Sequence, residues 1–437
     1  MNFVIVGKSC YSFTTNGAKV VNTLAGHTQA FTKQLIPYLL HNGHRVALLC
    51  PLKSGINDSI IWNPKNIVPN NLYINCFSSY NIPKIPNGTL YFDFITAFSE
   101  INTKFNGIDW VFSVYAFPYI CLINSLKPFY NFYTAVFLRG GDGYKFLDID
   151  YLKNTLGLHK YTETHIDTYR TFLNKSDLIF TVSNWLKNKV MQYGIPVNDI
   201  IPAPALTLFS INNNNSPIQN QKEFFIEKID NKTIKNKINL KKKWLITVSR
   251  FHKDKHLDLI IDSFIKWDSN NWQLILAGDG PLKNEIISQV SNHKDIIVIQ
   301  LPLELTQLLF QSCDAYIHAA IPSSSFIDSR PNSITTSAYY GKPVILPKSE
   351  IGGAKESISD INYQELGFTL SKLKENMIID IIEKFNKLDN QSLINVISLS
   401  NYEYAKFFNP ENIFNKIEKA LDVFENAKIK QNNCKWR

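Results

Sequence analysis

Three short stretches in the second half of the chain hold residues whose types and spacing could do chemistry. In 244-WLITVSRFHKDKHLDLIIDSF-264, an apolar strand-like run ends on Arg250, and Lys255 follows five residues later in the loop before a helix. Loops at the carboxyl ends of parallel strands point into a ligand crevice, so both cations can reach one anionic group. An arginine fork and a lysine point charge together suit a diphosphate. The plain alternative is two charges on a solvated loop. In 272-WQLILAGDGPLKNEI-286, a second strand runs into Gly278, Asp279, Gly280 and Pro281. The glycines permit a tight turn with positive φ, and Pro281 suits a first helical turn. This is neither a Gly-x-Gly-x-x-Gly fingerprint nor a P-loop, and alone it reads equally as a strand–helix connector.

The third stretch is 326-FIDSRPNSITTSAYYGKPVILP-347. Asn332 is a good helix N-cap and Pro331 sets the chain direction before it. The N–H groups of Ser333, Ile334 and Thr335 are then expected to point towards the crevice. A helix N-terminus of this kind binds phosphate without any side chain. Asp328 precedes the cap by four residues. Thr336 follows Asp328 by eight and falls one turn into the helix. Without its neighbours, Asn-Ser is merely a cap.

Such groups need a scaffold, and the rest of the chain describes one. FVIVG (3–7) reads as a buried strand, 25–44 as a helix ending at Asn42-Gly43, and RVALLCP (45–51) as the next strand. That is a βαβ unit, which implies a parallel sheet. DWVFSVY (109–115), NFYTAVFLRG (131–140) and DLIFTVS (177–183) read as further strands, and 186–193 as a helix closed by Gly194. Residues 210–243 are rich in Asn and Lys without a clear period, which reads as linker or a poorly packed insertion. A second βα series runs from WLITVSR (244–250) through WQLILAG, IIVIQL and DAYIHAA to KPVILP (342–347), and amphipathic segments follow from about 371 to 428. The chain is therefore expected to hold a first α/β domain over 1–205 and a linker or insertion over 206–243. A second α/β domain over 244–400 follows, then helices over 401–437 that pack back on the first. Its 437 residues suit two domains.

Composition narrows the class. Hydrophobic content of 45% and charge of 19% are those of a globular protein. The six cysteines are scattered with no Cys-x-x-Cys, which argues for a reducing cytoplasm and against a cysteine-built metal site. No apolar run reaches about 18 residues, and MNFVIVG has no basic segment before it and no cleavage site, so neither a membrane span nor a signal peptide is expected. Net charge is +9, and residues 1–57 carry five basic side chains before the first acid, Asp58. A basic first half suits a phosphate-rich ligand, nucleic acid or an anionic membrane surface, or is simply solvated. No recognised module supports nucleic acid.

Taken in order, these motifs resemble the retaining glycosyltransferases of family 4, which have the GT-B fold. That family's second domain typically has Val-Gly-Arg with a lysine five residues on, Gly-x-Gly-Pro, and an acid often followed by Gly-Leu-Pro-Asn. A Glu eight residues after that acid leads into Gly-x-Pro-Val, and Gly-Gly-x-x-Glu comes later. This chain has Val248-Ser249-Arg250 with Lys255, Gly278-Asp279-Gly280-Pro281, Asp328-Ser329-Arg330-Pro331-Asn332, Thr336, Gly341-Lys342-Pro343-Val344 and Gly352-Gly353-Ala354-Lys355-Glu356. The first half fits less tightly. Gly26 matches the second of the family's glycine pair, and 138-LRGGD-142 stands where many members have His-Gly.

The resemblance implies two Rossmann-like domains facing a central cleft and transfer of a sugar from a nucleotide-diphosphate sugar with retention. Arg250, Lys255 and Asp328 become the catalytic candidates. Gly26, Gly278, Gly280, Asn332, Ser333, Ile334 and Thr336 fall on the donor side, and Arg139 and Asp142 on the acceptor side. Arg139 reads equally as a core or surface arginine. Asp328 would contact the donor sugar, and Thr336 stands where the family's second acid grips the ribose. A single hydroxyl cannot accept from two ribose hydroxyls as a carboxylate does. Altered ribose recognition, as with a deoxyribose donor, or a lapsed donor site follows from that. No Asp-x-Asp pair is evident, so no metal and no cofactor is expected beyond a UDP-, GDP- or dTDP-linked donor. The implied acceptor is a glycan or lipid-linked sugar of surface polysaccharide or glycolipid synthesis, met in the cytoplasm or peripherally at the inner membrane face. Competing readings are a non-catalytic GT-B-fold binding or partner subunit and a sugar-nucleotide epimerase.

Overall fold

The apolar runs form parallel strands in a computed structural model, which describes residues 1–7, 11–14, 17–20, 27–52, 72–78, 89–114, 116–117, 119–140, 144–159, 161–207, 218–323 and 326–434. The first sheet contains β1 (Asn2–Val6), β4 (Arg45–Leu52), β5 (Leu72–Ser78), β6 (Trp110–Ser113), β7 (Tyr133–Leu138), β8 (Leu178–Thr181) and β9 (Asp199–Ile200). Between β1 and β4, β2 (Tyr11–Thr14) and β3 (Gly17–Val20) pair as an antiparallel hairpin. The second sheet contains β10 (Lys243–Arg250), β11 (Trp272–Asp279), β12 (Ile296–Ile299), β13 (Ala315–Ile317), β14 (Val344–Pro347) and β15 (Gly367–Phe368). Their spatial orders are β5-β4-β1-β6-β7-β8-β9 and β12-β11-β10-β13-β14-β15, all pairs within them parallel. Central strands are buried on both faces, which is why they read as unbroken apolar runs: Phe3 to Val6 and Trp244 to Ile246 are fully buried. In each sheet the order reverses beside its first strand. In the second sheet that switch point lies between β10 and β13, whose carboxyl ends carry Arg250 and His318.

The 206–243 segment, expected as a linker or a poorly packed insertion, contains two helices that dock on the second domain. Residues 218–227 and 232–237 are helical, and Phe225, Ile226, Ile229 and Ile238 are buried with Trp244 in the second domain's core. The Asn and Lys residues dilute the composition, yet the apolar positions of 225-FIEKI-229 fall on one helical side. The 208–217 portion lies outside the described residues.

The chain passes between the domains twice. After β9, Ile201 belongs to the first domain's core and Ala205 to the second's. Phe408 is again in the second domain's core, and the helix Pro410–Cys434 then buries Ile413, Phe414, Ile417 and Leu421 against the first. The two passages touch, since the Ala205 N–H donates to the Phe408 carbonyl at 2.8 Å. Among the described residues no helix is long and apolar enough to cross a membrane.

Candidate functional site

Arg250 is the last residue of β10 and its side chain is exposed. The chain then drops through fully buried Phe251 into the short 3-10 turn Lys253–Lys255. The end of β11 closes tightly on this turn. A Cβ at Gly278 would lie 2.0 Å from the Ser249 carbonyl oxygen, and one at Gly280, whose φ is +154°, 2.5 Å from that of Phe251. Backbone packing alone therefore demands both glycines.

The turn aims Lys255 at the 326–331 loop. Its ammonium lies 2.7 Å from Asp328 Oδ2 and 4.5 Å from the centre of the Phe326 ring. The same carboxylate oxygen is 3.3 Å from Nε2 of His318, which is 3% exposed just past β13. Burial alone would raise the Asp328 carboxyl. The Lys255 charge and the His318 side chain outweigh burial and hold it well below the usual carboxylate range. Burial pushes the His318 imidazole below its ordinary value, and the pull of Asp328 only partly restores it. His318 is thus neutral in the folded protein around pH 7. Unfolded, it takes up a proton as pH falls through about 6.5, so this group favours folding fully above that value and progressively less below it. Melting temperature is expected to fall on acidification below about pH 6.5, and His318→Gln is expected to flatten that limb of the profile. An unaltered slope in the variant would remove His318 as its source.

Pro331 takes the cap position of the helix Asn332–Tyr339, so Asn332 is its first residue and not the expected cap. The Thr335 N–H already bonds the Pro331 carbonyl at 3.3 Å. The N–H groups left pointing out of the first turn are those of Asn332, Ser333 and Ile334, one residue earlier than expected. Ser333 is held from below by the hydroxyl of fully buried Tyr316, at 2.7 Å. The Gly352-Gly353 pair supports the loop from the other side. The Gly353 N–H donates to the Asp328 carbonyl at 3.1 Å, and a Cβ on Gly353 would lie 1.8 Å from the Ser329 carbonyl oxygen.

Thr336 differs from its expected donor-side place. It is 1% exposed, and its hydroxyl accepts the Leu206 N–H at 3.2 Å. The first passage between the domains runs directly beside this helix and takes up the hydroxyl. Arg139 is 7% exposed, its guanidinium 3.5 Å from the Phe31 ring centre, which matches a core arginine. Gly26 and Asp142 lie outside the described residues. Sequence reasoning missed His318, hidden in an apolar strand run. It also missed Tyr144 and Lys145 of the first domain, which stand across from Asp328. Burial lowers the Lys145 ammonium, while Asp254 and Asp328 pull it back up. Cavities of about 830 and 1000 Å³ open elsewhere on the second domain; Gly341, Lys342 and Pro343 line the first, and none of the candidate catalytic, donor-side or acceptor-side residues lines either.

Solved structures share this architecture. A protein of Anabaena, HepE, in complex with UDP-glucose superposes with a TM-score of 0.63 at 14% identity, covering 97% of this chain and 100% of its own. A glycosyltransferase from Rickettsia africae gives 0.63 at 15% identity over 97% and 98%. The pneumococcal O-GlcNAc transferase GtfA in complex with UDP and GlcNAc gives 0.61 at 12% over 97% and 99%. The fold is GT-B. Residues 228–392, which contain the whole second sheet, match the family model for glycosyl transferases group 1. No curated protein matches the chain in sequence. The GT-B fold and the match of the second domain together support a glycosyltransferase.

Proposed function

We propose that this GT-B protein moves a sugar from a nucleotide-diphosphate sugar to a glycan or lipid-linked acceptor with retention of anomeric configuration. The observation that carries this reading is the convergence of Lys255, Asp328 and the first turn of the 332–339 helix at the switch point of the second sheet. The difficult event is departure of the diphosphate, whose oxygens gain charge as the glycosidic bond stretches. Cations and N–H dipoles fixed in advance stabilise that charge without reorganising. Arg250, Lys255 and the N–H groups of 332–334 fill this role. Asp328, kept ionised, contacts the donor sugar and supports positive charge near the anomeric carbon. Because side chains and backbone neutralise the diphosphate, the proposal includes independence from metal ions. The basic residues of 1–57 favour a peripheral encounter with an acceptor at an anionic membrane face.

A thermal-shift panel of UDP, GDP, dTDP and ADP and their common sugars, run with EDTA, tests this. One diphosphate is expected to raise the melting temperature of the wild type, and Arg250→Ala to abolish that shift. A second reading, a non-catalytic subunit with a lapsed donor site, is favoured by the engagement of Thr336 with the chain instead of the cleft. The absence of any shift across the panel would select it.

A further inference from the structure

The stretch from Asp328 to Tyr340 is fastened to the first domain and to the first passage between domains at two points, through Arg330 and through Thr336 with Tyr340, and Arg330 and Thr336 both depart from the motif pattern. Arg330 stands where that pattern has leucine. It is 7% exposed, and its Nη1 donates to the Val182 carbonyl, at the end of β8 in the first domain, at 3.2 Å. Its Nη2 donates to the Glu356 carbonyl, and the guanidinium lies 4.6 Å from the Phe408 ring centre. Glu356 reaches the same place in the first domain. Its carboxylate accepts the N–H groups of Asn184 and Trp185, at 2.9 and 3.1 Å, and so caps the helix Asn184–Met191 from across the interface. The second point lies about one turn into the 332–339 helix. Thr336 accepts the Leu206 N–H, and Tyr340, one turn on, donates to the Leu206 carbonyl at 2.9 Å. Both polar groups of one backbone residue in the first passage between domains are thus held by a single helix.

Burying a guanidinium is a poor route to stability, since an apolar side chain of similar volume usually does as well or better. What the arginine adds is direction. It ties the loop two residues after Asp328 to a fixed carbonyl of the opposite domain, while Thr336 and Tyr340 fix the same segment against Leu206 in the first passage between domains. We infer that Arg330 and Thr336 are positioning residues that hold the two domains closed around Asp328. They set the geometry of the proposed transfer without touching the donor. This rests on the glycosyltransferase reading for its kinetic part and on the interface alone for its conformational part.

Small-angle X-ray scattering of the full chain, with steady-state kinetics on the nucleotide sugar selected by the thermal-shift panel, tests it. Arg330→Leu is expected to lengthen the maximum dimension without any donor present. Its kcat is expected to fall by tenfold to a hundredfold, on the order of the loss seen for small misplacements, with KM for the donor within about threefold. Thr336→Ser is expected to behave as wild type, and Thr336→Val to shift both readouts in the direction of Arg330→Leu. Unchanged scattering and kcat in Arg330→Leu would overturn the inference. So would a KM that rises in step with the loss of kcat, which would assign Arg330 to the donor itself. Should that variant not fold, Glu356→Gln, which weakens the cap on Asn184 and Trp185, carries the same expectation. If the wild type turns over no nucleotide sugar, the functional reading fails while the scattering result still decides the fastening.

Discussion

Replacing Lys255 with alanine is expected to cut turnover of the donor by about two to three orders of magnitude, the loss typical of one preorganised charge-stabilising group. The same change is expected to lower stability, because it strands Asp328, a carboxylate only about one-fifth exposed, without its 2.7 Å partner. Breaking a buried pair costs several kcal/mol, and the partial exposure here reduces that to roughly 2 kcal/mol. The double variant Lys255→Ala, Asp328→Asn separates the two effects. Removing the stranded charge restores melting temperature and leaves turnover lost. If melting temperature in the double variant stays as low as in Lys255→Ala, the pair is not the origin of the stability loss. If Lys255→Ala turns over donor at the wild-type rate, Lys255 has no part in the chemistry. The stability term has a definite pH sign. Asp328 titrates below its unfolded value, so the pair stabilises the fold above about pH 4 and loses that contribution as pH falls towards the depressed folded value.

The second large effect lies far from the chemistry. Phe414→Ala is expected to destabilise the protein by about 3–5 kcal/mol. Phe414 is 1% exposed, with ring centres 5.7 Å from Phe31 and 5.0 Å from Tyr38. Polar contacts line the same seam, where Tyr38 bonds Glu418 at 2.8 Å and the Trp110 indole bonds Glu425 at 2.6 Å. Thermal or denaturant unfolding of the variant measures the cost. A loss under 1 kcal/mol would mean that the last helix contributes little to the first domain's core.

The two-sheet architecture was legible because parallel strands covered on both faces are largely apolar, and short runs such as FVIVG and WLITV, repeated between helix-length segments, fit that pattern. That Arg250 ends a strand and Lys255 lies in the loop after it was legible too, since strand-end loops place residues by position in the chain. Contacts made across the interface were not. Arg330 is one charged residue in a loop until Val182 and Glu356 are folded against it. His318 sits in a strand run whose neighbours are all core. Thr336 lay on the expected helix, but which side of that helix faces the cleft depends on where residues 201–206 pass, and no local pattern encodes a path between domains. The helices within 218–237 were hidden by composition, as a few buried apolar side chains among many Asn and Lys are enough to dock a short helix.

That one face of the first sheet is covered by residues 413–421, which follow the second domain in the chain, bears on how the molecule is made. The face built from Phe3, Ile5, Trp110, Phe112 and Phe137 is shared with Ile413, Phe414, Ile417 and Leu421. During translation the first domain emerges with part of that face bare, and its cover is synthesised only after the whole second domain. At the usual rate of about 5–20 residues per second, the delay is roughly 10–45 s. Over that interval a nascent chain presents an aromatic surface to whatever is near it. The first domain's core is therefore completed only after the second domain has been synthesised.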